Sequence, residues 1–153
     1  MSVFHIHIAY SGGYEDQYQR GVSYLFGMAM IYLIYRRPVV KGPWGYVIVG
    51  VTFLLAVTST GFPALWDWNY FQDRLYYVDP LRPIDFFFGI TIILLTLEAA
   101  RRTINNALPL ISLFFVVYSW DWVGPYFPWE MAHKGASFMH VIDHQYMTYD
   151  GIW

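Results

Sequence analysis

Residues 44–66 read WGYVIVGVTFLLAVTSTGFPALW, twenty-three residues with no charge and a tryptophan at each end. A helix rises about 1.5 Å per residue, so roughly 20 apolar residues cross a ~30 Å hydrocarbon layer. Pro43 and Asp67 bracket the run, and Gly61 and Pro63 predict that its helix stops before Trp66. Three further apolar stretches accompany it, at 21–35 (GVSYLFGMAMIYLIY), 84–97 and 104–120. The first reaches crossing length only if Tyr18 to Arg37 is helical, with Arg20, Arg36 and Arg37 snorkelling to the interfaces. The pattern predicts an all-α integral membrane protein with about four transmembrane helices, near 18–37, 44–62, 84–102 and 104–122. An aromatic-rich loop over 61–83 and an amphipathic tail over 123–153 complete it.

Charge supplies the orientation. The connection after the first segment holds Arg36, Arg37 and Lys41 with no acid, and the one after the third opens with Arg101 and Arg102. Glu15, Asp16, Asp67, Asp73, Asp79, Asp85, Asp121, Glu130, Asp143 and Asp150 fall on the opposite side, and only Glu98 joins the basic side. Basic residues in short loops resist translocation, so the basic connections are expected in the cytoplasm and the acidic loop and tail outside.

Composition agrees: 57% of residues are hydrophobic, 22% aromatic and 13% charged, about half the charged share of typical soluble domains. At 153 residues the chain reads as one membrane domain, too short to enclose and shield a transport pathway by itself. A net charge of −2 argues against a nucleic-acid partner, and the absence of cysteine excludes disulfides, thiol catalysis and cysteine metal sites. Residues 1–10 (MSVFHIHIAY) lack the basic start and small-residue cleavage site of a secretory leader. They read as a strand-like lead-in or the tail of a longer helix. Pro83 suits the first turn of the third helix, Asp85 its cap, and Arg101 and Arg102 its C-terminal end.

Few residues could carry chemistry. His5 and His7 share a face only on a strand, whereas His140 and His144, four apart, share one on a helix and have a metal-compatible spacing. None of the apolar segments holds a histidine, which disfavours a transmembrane haem and favours interfacial or hydrogen-bonding roles for all five. Glu98 is the one acid near membrane depth, and Arg101 and Arg102 at i+3 and i+4 are placed to neutralise it. These three residues are the candidate structural or subunit-contact site. Trp120, Trp122, Trp129 and His133 are candidate interfacial residues within an aromatic girdle that includes Tyr126 and Phe127. Gly27 and Gly89 could each admit a close helix neighbour, although neither belongs to a GxxxG pair. No nucleophile–base pair, phosphate loop or carboxylate pair is present, so no catalytic, cofactor or metal residue is assigned.

Three stretches together resemble a known family. YQRGVSYLF at 18–26, TLEAARRTINNALPLISLFF at 96–115 and VGPYFPWEMAHKGASFMHVIDHQYMTYDGIW at 123–153 are similar to the N-terminal part of fused TRAP-type permeases. These are tripartite ATP-independent periplasmic transporters, and the likeness is to the branch served by TAXI-type binding proteins. It covers most of residues 18–153, with 61–83 only loosely alike. Family chains carry a further helix ahead of the region matching Phe4 to Tyr14 and continue past Gly151-Ile152 into a large permease domain. The resemblance implies a small-subunit, scaffold portion in a bacterial or archaeal cytoplasmic (inner) membrane. The implied partners are that large domain and a periplasmic binding protein, for sodium-driven symport of an organic acid. It also implies that the sodium and substrate ligands lie in the large domain and not in this chain. The rival reading is a membrane anchor or assembly subunit of a redox complex, with haem at the histidine-bearing ends. An enzyme acting at the interface is disfavoured by the missing constellation.

Overall fold

In a computed structural model describing residues 2–12, 16–35, 42–75, 77–148 and 150–152, every regular element is helical. The first basic connection, Arg36 to Lys41, and Glu15 lie outside the described residues. Two compact units form, Met1–Asp73 and Arg74–Ile152.

In the first unit α1 is Ser2–Ser11, α2 Asp16–Ile34, α3 Pro43–Gly61 and α4 Trp68–Asp73, with a π-turn at Phe62–Trp66 between α3 and α4. The lead-in is therefore helical, and His5 and His7 do not share a strand face. The rings of Phe4 and Phe26 approach to 6.1 Å, and His5 Nε2 lies 3.4 Å from Ser23 Oγ, fixing α1 against α2. Pro43 opens α3 at a position where a missing N–H costs nothing. α3 buries Gly45, Val49, Ala56, Ser59 and Thr60, a face of mostly small side chains that lets a helix approach closely. α2 packs on α3 and buries Val22, Met28 and Tyr32. Gly27, a candidate for close approach, instead faces open space.

In the second unit a loop leads to α5, Pro83–Thr103, then α6, Ala107–Tyr118, and α7, Phe138–Met147. Pro83 begins α5 as expected, but the cap position falls on Arg82. Asp85 sits buried in the first turn, gripped by the Arg82 guanidinium at 2.7 and 3.0 Å, and is an ion-pair partner rather than the cap. One face of α5 is buried through Asp85, Gly89, Ile92, Leu95 and Ala99. α7 packs on this helix, with Ile142 and Tyr146 lying over Gly89. The tail thus contains a helix, N-capped by Ser137, whose hydroxyl accepts the His140 N–H.

Among the described residues two helices, α3 and α5, are long and apolar enough to cross a membrane, and 28% and 33% of their apolar windows are buried. α2 ends at Ile34, short of the expected Arg37, and its first turns carry Asp16, Gln17, Gln19 and Arg20. α6 is shorter than the expected 104–122 for two local reasons. Asn105 Oδ1 accepts the Ala107 N–H at 2.9 Å, a turn that delays the helix start. Beyond Tyr118, the Asp121 N–H donates to the Ala136 carbonyl (2.9 Å) and the Ala136 N–H to the Ser119 carbonyl (2.8 Å). This isolated parallel bridge takes the backbone out of the helix and closes the neck of the aromatic loop.

Candidate functional site

Three polar or aromatic features stand out, all within Arg74–Ile152. The first lies at the turn between α5 and α6. Glu98 accepts a forked pair of bonds from Arg101, Nε to Oε2 at 2.6 Å and Nη2 to Oε1 at 2.7 Å. Arg102 adds a third, Nε to Oε1 at 2.7 Å. The helix spacing brings together all three residues expected there. Their side chains differ in exposure: Arg102 is 5% accessible and Arg101 46%. The cluster holds one acid and two cations, and Arg101, its more exposed cation, is paired with both Glu98 oxygens.

The second feature is the aromatic loop, 119–136. Trp120 is half-buried, stacked on Trp122 at 5.6 Å and edge-on to Phe138 of α7 at 5.2 Å. His133 is also half-buried, under the Tyr118 ring at 4.4 Å and against Gly124, while the Tyr118 hydroxyl donates to the Met131 carbonyl. Gly135 has φ +70°, and a Cβ there would strike the Trp120 carbonyl at 2.5 Å, so glycine is required at the neck. Trp122, stacked over Trp120, and Trp129 form the outer side of the loop, 65% and 94% exposed. The four candidate interfacial residues therefore divide: Trp120 and His133 hold the loop's form, and Trp122 and Trp129 present it.

The third feature gave no signal in the spacing of residues. Arg74 and Asp143 form a buried ion pair, their side chains 1% and 5% accessible, with Nη1 and Nη2 on the two carboxylate oxygens. Arg74 also donates to the Asp79 carbonyl, and Asp143 accepts the Tyr77 N–H at 3.3 Å. This clamps the 74–81 loop onto α7. Tyr77, held at φ 62°, places its hydroxyl 2.6 Å from His144 Nδ1, and its ring is near parallel to those of His140 and His144. His140 Nδ1 is 2.6 Å from Ser137 Oγ. The two histidines do share one face of α7 and line a cleft of about 840 Å³ together with Tyr77, Asp121 and Lys134. Among the described residues no group of three or more His, Cys, Asp or Glu side chains is placed to hold a metal ion. The sequence offered one clue to the clamp: Arg74 is a cation stranded among acids, which is where a buried pair should be sought.

Within α3 and α5 the polar groups are turned back on their own helices. Thr52 donates to the Ile48 carbonyl (2.9 Å), Thr58 to Leu54 (2.8 Å), Thr91 to Phe87 (2.8 Å) and Thr96 to Ile92 (2.6 Å), and Thr60 bonds the Ala56 carbonyl. Charged residues in α5 occur only near its two ends, and α3 has none.

No protein-family model, curated protein or solved structure matches the chain.

Proposed function

We propose that the chain is a non-catalytic scaffold subunit of a sodium-driven, TRAP-type secondary transporter for organic acids. It works in a cytoplasmic membrane beside a large permease subunit and a periplasmic TAXI-type binding protein. The observation that carries this reading is the interior chemistry of α3 and α5. Moving an anion with its coupling ions needs oxygen ligands and broken helices near mid-membrane. Here the hydroxyl hydrogens bond the helix's own backbone and the charges sit at helix ends, which suits a wall rather than a conduit. The resemblance of 18–26, 96–115 and 123–153 to fused TRAP permeases supplies the transporter class.

Four crossings, by α2, α3, α5 and α6, complete the proposal. α6 buries no residue and leaves Leu108, Leu110, Ile111, Leu113, Phe114 and Phe115 exposed, an apolar surface far more at home in lipid than in water. At 12 residues it spans about 18 Å, so flanking aromatic residues and local bilayer thinning make up its length. Reconstituted alone in proteoliposomes with an inward sodium gradient, the chain should take up no organic acid, while addition of a large permease subunit and binding protein should restore uptake. Sodium-dependent uptake by this chain alone overturns the scaffold reading.

The proposed orientation has its own check. Asn105 is exposed in the α5–α6 turn. Asn105→Cys in intact cells should resist an impermeant maleimide and react after permeabilisation, whereas Asp150→Cys, also exposed, should react from outside. External labelling at 105 reverses the topology.

A further inference from the structure

Phe138, at the start of α7, is edge-on to two rings, Phe86 of α5 at 5.8 Å and Trp120 of the aromatic loop at 5.2 Å. These contacts set the level of the loop along α5. Phe86 lies about 17 Å along the helix axis from Leu97, which adjoins the charged Glu98 cluster at the end assigned to the cytoplasm. The 12 residues of α6 return a similar distance, about 18 Å, before the loop begins. A hydrocarbon layer is ~30 Å thick, so a loop that starts at this level starts inside the bilayer, short of the outer headgroups. Two local features suit such a place. Irregular backbone at membrane depth must satisfy its own polar groups. Here the Trp120 carbonyl accepts the N–H groups of Val123 and Gly124, the Val123 carbonyl that of Tyr126 and the Gly124 carbonyl that of His133. Pro125 and Pro128 have no N–H to satisfy. A groove of about 390 Å³ is lined by Trp122, Val123, Tyr126, Phe127 and Pro128, none of them charged.

We propose that the aromatic loop is embedded in the outer leaflet, where Tyr126, Trp129 and the groove beside Trp122 meet lipid at the boundary between acyl chains and headgroups. The inference rests on the membrane reading above and gives the loop a partner, the lipid itself, in place of water or a second protein. Tyrosine and tryptophan rings, apolar with one polar edge, favour this boundary. Asp121, Glu130 and Lys134 are exposed on the same loop. Charges are costly deeper in the bilayer, so these three hold the loop at the boundary with their charged groups among the headgroups.

The chain has no cysteine, so single spin labels can be placed without background. Phe115→Cys, at an exposed position of α6, tests the membrane reading, and Tyr126→Cys and Trp129→Cys, at exposed positions that disturb no packing, test the loop. In proteoliposomes of the full chain, all three labels should collide more often with oxygen, which concentrates in lipid, than with a water-soluble nickel chelate. Relaxation dominated by the chelate at 115 refutes the membrane reading itself. The lipid pattern at 115 with chelate-dominated relaxation at 126 or 129 overturns the proposal alone and leaves the loop in water. Labels at 126 and 129 that are shielded from both reagents overturn it too, since they place the loop against another protein chain.

Discussion

Asp143→Ala is expected to destabilise the Arg74–Ile152 unit by about 3–5 kcal/mol, because it removes the carboxylate paired with a guanidinium that is almost wholly buried. The loss extends beyond one pair. Asp143 also accepts the Tyr77 N–H, and the same arginine bonds the Asp79 carbonyl, so the 74–81 loop loses its hold on α7. For a unit of this size the change corresponds to a fall in Tm of more than about 10 °C, read by tryptophan fluorescence in detergent. Asp143→Asn, which keeps an acceptor and the shape, should fall between wild type and Ala. Replacing both partners, Arg74→Met with Asp143→Leu, should be milder than Asp143→Ala, because two apolar side chains leave no buried charge. An unchanged Tm in Asp143→Ala would show that the pair contributes nothing to the unit.

The second large effect is expected at Gly89. A Cβ added there would stand 2.5 Å from Ile142 Cγ2 and 3.3 Å from Tyr146 Cβ, distances at which α7 must move away from α5. Overpacking of this kind costs about 1–3 kcal/mol for Gly89→Ala and more for Gly89→Leu. The cause can be isolated by a double-mutant cycle. Ile142→Ala removes the methyl group that clashes, so Gly89→Ala should cost less in that background than in wild type. Strict additivity of the two substitutions would show that the clash is relieved elsewhere. Gly27→Ala, by contrast, meets open space and should be close to neutral or slightly stabilising.

The elements legible in the sequence were those whose signals are local. The uncharged run after Pro43 and the stretch from Pro83 to Glu98-Ala-Ala-Arg-Arg gave α3 and α5 nearly to the residue, since proline, charge and hydropathy all act within one helix. The Glu98 cluster was readable for the same reason, its partners lying three and four residues away. The limits of α6 were not, because one is set by an Asn105 side-chain turn and the other by pairing with Ala136 across the aromatic loop. α7 was visible only as an amphipathic tail in which His140 and His144 would share a face if it were helical. The Arg74–Asp143 pair spans 69 positions, and no periodicity connects residues that far apart. The girdle tryptophans could be counted but not sorted, since which of them face solvent depends on how Tyr118, Gly124 and His133 pack the loop from within.

The two main-chain hydrogen bonds joining Ser119 and Asp121 to Ala136 give the aromatic loop an anchorage independent of what it displays. Closing a loop costs entropy that grows only slowly with its length. With the ends fixed at this neck, and Phe127 and His133 packed on Tyr118 of α6, the exposed side chains of Tyr126 and Trp129 can be exchanged while the packing beneath them is kept. For the same reason a foreign peptide epitope spliced between Asp121 and Gly135 gives a handle on this end of the molecule that leaves the hairpin of α5 and α6 untouched.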